Sequence, residues 1–372
     1  MGFRHRATSV QRACAFRLFI RPMIPRRAVP LLVGCLLLAG VLIALFAAGG
    51  YPIMRSVSAM WDGSVGTWYS FSSATLVRAI PLMLTGCGVA IAFRAGVFNV
   101  GAEGQFLAGA TSATAVALTF AHGGYIGTLA ALIAGAVAGS LWAGIAAVLR
   151  AAFGVLEVIS TIMLNFVALY AVSFLVRGPM QEPRHVYPQT SVIAEGVRLA
   201  RVPGAGRLHV GLFIALAVLV LCGWIFRHTA AGFRLLVAGE NPAAARSAGQ
   251  IDVVRTTTVA FLYSGALAGI AGATQVLGVT FALYENISPG YGYTAIAVAL
   301  LARLDPWLVI FSAMMFGALE AGAGAMQRDA GVPSALVTVV EALLILGVIA
   351  AQAPRWRSVL ADSADSLPDG DT

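Results

Sequence analysis

Runs of about twenty predominantly apolar residues recur along this chain, the length a helix needs to cross a hydrocarbon core of roughly 30 Å. They fall near Ala28–Gly49, Ala74–Phe93, Gln105–Ala121, Tyr125–Leu149, Val155–Val176, His209–Phe226, Thr257–Leu283, Tyr291–Leu304, Pro306–Met326 and Pro333–Ala351. Backbone in lipid must satisfy its own hydrogen bonds, and apolar runs of this length do so as helices. Composition agrees, with 59% hydrophobic and 11% charged residues against roughly 25% charged in soluble domains. The fold class expected is an all-α polytopic membrane protein of about ten transmembrane helices. Residues 1–27 form an arginine-rich N-terminus, 28–352 the transmembrane region and 353–372 an acidic tail.

The formal charge of +8 does not indicate nucleic acid, because the arginines cluster at predicted span ends, where the partner is the lipid bilayer. Arg4, Arg6, Arg12, Arg17, Arg21, Arg26 and Arg27 precede the first run, which places the N-terminus in the cytoplasm by the positive-inside rule. An even number of spans returns the C-terminus, with Arg355 and Arg357, to the same side. The stretch Arg177 to Arg207 runs against the rule, carrying five arginines on the outer side. Four prolines within Arg177–Leu208 make it an external loop with little regular structure, and Trp61, Trp68 and Tyr69 mark Tyr51–Ser73 as interfacial.

Enzyme chemistry is missing. All 24 basic residues counted as Lys+Arg are arginine, so no phosphate-binding Walker lysine and no Schiff-base lysine exists. The five histidines are dispersed and the four cysteines show no C-x-x-C spacing, so neither cofactor nor metal is expected. Few acidic residues fall at membrane depth: Glu103, Glu157, Glu320 and Glu341 are the candidates for ion coupling.

Two polar, glycine-rich breaks interrupt the apolar pattern. Phe93–Phe106, FRAGVFNVGAEGQF, places Arg94, Asn99, Glu103 and Gln105 between long apolar runs, and irregular backbone there survives only in protein or along a watery path. Asn286–Gly292, NISPGYG, leads similarly into the short run from Tyr293. The two form a weak internal symmetry, each a broken backbone feeding a helix N-terminus, as in transporters built from repeats. A third segment, Ala238–Gln250, reads as a short surface helix in which Asn241 caps, Pro242 opens and Gly249 ends the turn.

Taken together, AFRAGVFNVGAEGQFLAGA (Ala92–Ala110), EVISTIMLNFVALY (Glu157–Tyr170), GENPAAARSAG (Gly239–Gly249), GYGYTAIAVALLARLDPW (Gly290–Trp307) and GVPSALVTVVEALLILGVI (Gly331–Ile349) resemble the permease of an ABC importer. The branch is that of simple-sugar and nucleoside permeases, related to ribose and branched-chain amino acid permeases. The resemblance implies a type II-like permease with broken or half helices in a bacterial cytoplasmic (inner) membrane, both termini cytoplasmic. It also implies a separate ABC ATPase, an external substrate-binding protein or lipoprotein, and a second permease subunit, identical or related. Gly239, Glu240, Asn241, Pro242, Ala244, Arg246 and Gly249 then stand where a coupling helix seats in the ATPase. Asn99, Glu103, Gln105, Asn165, Gln275, Asn286, Tyr291 and Tyr293 are the candidates for the substrate pathway, which a nucleoside or a simple sugar would take. Glu341 stands where an uncharged polar residue is expected. An autonomous ion-coupled secondary transporter is the alternative from another class.

Overall fold

A computed structural model describes residues 40–41, 43–247 and 251–333, with six further positions between 336 and 346. Gly249, Glu341 and most of the expected spans Ala28–Gly49 and Pro333–Ala351 lie outside the described residues. The chain divides into Gly50–Glu341 and a second unit of Met1–Gly49 with Ala342–Thr372, in which residues 43–48 are helical. The larger unit carries everything that follows.

Its helices are α1 (Ile53–Ser64), α2 (Trp68–Arg94), α3 (Ala102–Thr119), α4 (Gly124–Phe153), α5 (Glu157–Arg177), α6 (Gly211–His228), α7 (Ala230–Glu240), α8 (Pro242–Ser247), α9 (Val253–Thr280), α10 (Tyr291–Leu301) and α11 (Pro306–Asp329). Six of them, α2, α4, α5, α6, α9 and α11, are long and apolar enough to cross a membrane. The expected span Gln105–Ala121 is α3, whose first turn carries Glu103 and Gln105 and so lowers its hydropathy. The expected run Tyr291–Leu304 is the 11-residue α10, about 17 Å long at 1.5 Å per residue and hence a half-span. The segment Tyr51–Ser73, expected to be interfacial, is largely helical: α1 packs on α11, where a Cβ on Gly63 would stand 2.1 Å from that of Ala325. Trp61, Trp68 and Tyr69 stay exposed.

Close glycine seams hold α3, α4 and α9 together. A Cβ on Gly269 would lie 2.1 Å from the Gly135 carbonyl oxygen, and one on Gly272 2.1 Å from that of Phe106. Between helices in lipid, association comes from such close packing rather than from apolar burial. Two π-turns punctuate the long helices. Phe71–Leu76 opens α2, where the Ser72 hydroxyl donates to the Trp68 carbonyl at 2.8 Å, and Val276–Thr280 closes α9. Such side-chain competition for helix carbonyls locally widens the turn.

The bundle has two ends. At the long-loop end the Trp68 indole donates to the Gly204 carbonyl and Thr128 to that of Val197. At the short-helix end lie α7 and α8, with the C-termini of α2 and α6 beside them. The segment 177–210 has only a 3-10 turn at Glu195–Val197 and two isolated bridges, Gln189 to Tyr284 and Arg201 to His209. Two of its five arginines have acidic partners among the described residues: Arg198 lies 4.5 Å over the Phe281 ring and 3.8 Å from Glu195, and Arg177 pairs with Glu285.

Candidate functional site

The two glycine-rich breaks meet. After Arg94 the chain leaves α2 at the short-helix end, turns at Gly96 (φ 76°) and runs without helix to Ala102. After α9 it turns at Phe281, Asn286 and Gly290, all with positive φ, and starts α10 at Tyr291. There the Gly292 N–H donates to the Glu103 carboxylate at 2.7 Å. A Cβ on Gly292 would lie 2.1 Å from the Glu103 nitrogen, so only glycine permits this approach. The Phe106 and Tyr291 rings pack beside it, tilted by 52° with centroids 5.8 Å apart.

From this junction the helices diverge. α3 climbs to the long-loop end, while α10 descends to a turn where Leu304 accepts from Arg94 and Asp305 pairs with Arg227. The 18-residue α3 and the short α10, opposite in direction, therefore present their N-termini to one point inside the bundle. Unpaired N–H groups and partial positive charge gather at helix N-termini, and the Glu103 carboxylate sits among both sets. Ser288, whose hydroxyl accepts from the Gly290 and Tyr291 N–H groups at 3.1 Å, completes the start of α10.

Around the junction the polar side chains are closed on one another. Asn99 and Gln105 exchange reciprocal amide bonds of 2.9 and 3.0 Å; Asn99 also donates to Ser264 at 2.8 Å and accepts from the Gly101 N–H at 3.0 Å. That uses the full capacity of the Asn99 amide, while Gln105 spends one N–H and one lone pair on it. Asn165 accepts from the Gly104 N–H at 2.8 Å and donates to the Val100 carbonyl at 2.9 Å and the Tyr293 hydroxyl at 3.3 Å. The Trp142 indole N–H lies by Gly104 and Asn165, buried and without a hydrogen-bond partner among the described residues.

Of the expected pathway residues, Asn99, Glu103, Gln105, Asn165, Tyr291 and Tyr293 gather here. Tyr293 is 46% exposed, whereas Tyr291 is buried. Gln275 is buried where α9 passes into its π-turn, and Asn286 is exposed in the descending loop. Ser264 and Trp142 carry no sequence signal, being ordinary members of apolar helices. Ser288 did carry one, since serine two residues before a helix-opening glycine is a capping pattern.

At the short-helix end, Asn241 caps α8 by accepting from the Ala244 N–H at 2.9 Å. α8 is six residues long, shorter than two full turns, and Gly239 and Glu240 belong to the end of α7. Ala245 turns inward onto Ala238 and Val253, leaving Pro242, Ala244 and Arg246 exposed. Gly239 lies backbone to backbone on the turn after α2: its Cβ would stand 2.1 Å from the Arg94 carbonyl oxygen. The short helices thus touch the root of the segment that leads to Asn99 and Glu103.

On the far side, Glu285 accepts from Arg177 Nε at 2.6 Å and Nη2 at 2.7 Å, and from the Ser173 hydroxyl. The guanidinium and that hydroxyl hold the Glu285 carboxyl down at about 2. This fork joins the end of α5 to the loop that descends to α10.

The family described as branched-chain amino acid transport system / permease component matches residues 71–349. The guanosine ABC transporter permease protein NupP of Bacillus subtilis is 37% identical over 326 residues, 86% of this chain and 92% of that protein. The glucose ABC transporter permease protein TsgB13 of Haloferax volcanii is 37% identical over 289 residues, 74% of this chain and 75% of its own. The nucleoside ABC transporter permease protein NupB of Lactococcus lactis is 32% identical over 342 residues, covering 88% and 93%.

Proposed function

The chain belongs to the permease-component family of branched-chain amino acid transport systems, and we propose that it is the membrane subunit of an ATP-driven importer of nucleosides. The observation that carries the reading is the head-to-head meeting of α3 and α10 at Glu103 and Gly292 inside the bundle. Paired discontinuous helices of opposite direction are how repeat-built transporters present N–H groups to polar solute at mid-membrane. Relatives named for guanosine and nucleoside transport, alike over most of both chains, favour this cargo.

In this reading the short-helix end faces the cytoplasm of a bacterial inner membrane, as do both termini. Exposed Pro242, Ala244 and Arg246 seat in a separate ATPase, with Glu240 and Asn241 shaping the approach, and Gly239 passes the movement to Gly96. A binding protein delivers solute to the long-loop end. A second permease, identical or related, completes the pathway. Tyr293 supplies an exposed ring for a nucleobase, while Asn165, Gln275 and Asn286 offer groups for ribose hydroxyls. Asn99, Gln105 and Tyr291 keep the break in shape and Glu103 joins its halves.

Tyr293 provides the test. Tyr293→Ala should raise the KM for nucleoside uptake about tenfold, on the order of the 1–3 kcal/mol a base–aromatic stack contributes, with Tyr293→Phe close to wild type. An unchanged KM would remove Tyr293 from the pathway. The glucose permease relative, also 37% identical, favours a second reading in which the cargo is a simple sugar. Competition of labelled nucleoside uptake by unlabelled nucleosides against glucose separates the two.

A further inference from the structure

At the short-helix end α2 finishes on Arg94 and α6 on Arg227 and His228, and both guanidinium groups line one small pocket with Phe226, Leu236 and Asp305. The cavity holds about 70 Å³, well below the few hundred Å³ of a site that encloses a whole ligand and on the scale of a single anionic group. The charges within it do not balance. Arg227 pairs with Asp305 at 3.0 Å, whereas Arg94 donates to the Leu304 carbonyl at 3.2 Å and lies 5.5 Å over the Phe226 ring, with no acidic partner among the described residues. Two cations therefore face one anion. Each guanidinium has five N–H donors and spends only a few of them on these contacts.

Depth is set by the neighbouring aromatic residues. Trp224 is 54% exposed and stacks on His228 at 6.1 Å, at the same end of α6 as the pocket. Exposed tryptophan at a span end marks the headgroup level of a bilayer. A further donor lies at the wall: the Trp307 indole N–H is buried without a partner among the described residues, packed on Gly223, which lines the pocket.

We propose that this pocket binds the phosphodiester of an anionic phospholipid, with the Arg94 and Arg227 guanidiniums as its donors. One negative charge satisfies the unmatched cation, and phosphate oxygens suit the planar guanidinium fork. The acyl chains lie along the exposed apolar side of α6, where Val220 and Leu221 face outward. Basic pockets between spans at the cytoplasmic side select anionic headgroups in this way. Leu236 belongs to α7, so the bound lipid braces the short-helix unit against α6 and the start of α11. Inorganic phosphate offers the same oxygens without the chains.

The full chain, delipidated in mild detergent and supplied with equal phosphatidylglycerol and phosphatidylcholine, tests this by native mass spectrometry. Wild type should retain one phosphatidylglycerol in at least tenfold preference, and Arg94→Gln/Arg227→Gln should lose that preference. Leu236→Trp keeps both charges, fills the space and should also lose it, which covers the case in which the double variant does not fold. Lipid retention with no headgroup preference, or a preference that survives both variants, overturns the proposal. So does displacement of the lipid by millimolar inorganic phosphate, which would make the site one for free anions.

Discussion

The Glu103 carboxyl accepts the Gly292 N–H at 2.7 Å across 189 residues of sequence, tying the first turn of α3 to that of the half-span α10. An intramolecular hydrogen bond contributes roughly 0.5–1.5 kcal/mol, and leaving its buried donor unpaired costs about 1–3 kcal/mol. Glu103→Ala should therefore lower thermal stability and reduce uptake at least tenfold, with Glu103→Gln, which keeps an acceptor, falling between. Gly292→Ala should be at least as harmful, because its methyl group meets the Glu103 backbone. Melting curves of purified variants with parallel uptake assays check this; a wild-type Glu103→Ala would show the contact to be incidental.

Asn99 is bound on all sides by Gln105, Ser264 and Gly101. Replacement by leucine leaves several buried groups unpaired, each at a cost of about 1–3 kcal/mol. Asn99→Leu should reduce folded protein and uptake together. Gel-filtration yield beside uptake per folded molecule reads it: full yield with altered solute preference would mean that Asn99 touches cargo instead.

Gly239 lies on the Arg94 carbonyl, and Ala244 is exposed on α8. The two should fail differently. Ala244→Arg places a long cation on the docking face and should abolish co-purification with the ATPase. Gly239→Val should keep the ATPase bound but uncouple it, with hydrolysis persisting and transport falling at least tenfold. Co-purification, hydrolysis and uptake measured on both variants separate the roles; loss of ATPase binding in Gly239→Val would contradict the linkage.

The Arg177–Glu285 fork sets a pH window. Its carboxyl stands at about 2 in the folded chain against an ordinary 4.5, so the fork stabilises above 4.5 and loses that contribution as pH falls from 4.5 toward 2. Stability of wild type and Glu285→Gln should differ by a constant amount from pH 8 to 5 and converge below 4.5. Since Arg177 is well exposed, the difference should shrink in high salt. Parallel thermal scans across pH read both effects, and a gap that widened below pH 4.5 would contradict the assignment.

Much of this architecture was legible in residue order. Apolar runs located the six long helices, and the glycine-rich breaks at Phe93–Phe106 and Asn286–Gly292 marked the starts of α3 and α10, because a glycine cluster between spans has few other uses. Asn241 and Pro242 gave the start of α8 for the same local reason. What spacing could not give was partnership. Asn99 read as a candidate for solute contact, yet its amide is shared with Gln105 six residues on and with Ser264 from another helix, and hydroxyls such as Ser264 leave no pattern in an apolar run. Nor could it show that Arg177 pairs with Glu285, or that Arg198 lies beside Glu195 and over the Phe281 ring.

Reconstitution decides whether the chain works as an ATP-driven nucleoside importer. Proteoliposomes holding this chain with its ATPase, its partner permease and the binding protein should accumulate labelled guanosine only when ATP is supplied to the short-helix side, with unlabelled nucleosides competing and glucose not. Accumulation by this chain alone on a proton or sodium gradient, without ATP or an ATPase, would contradict it.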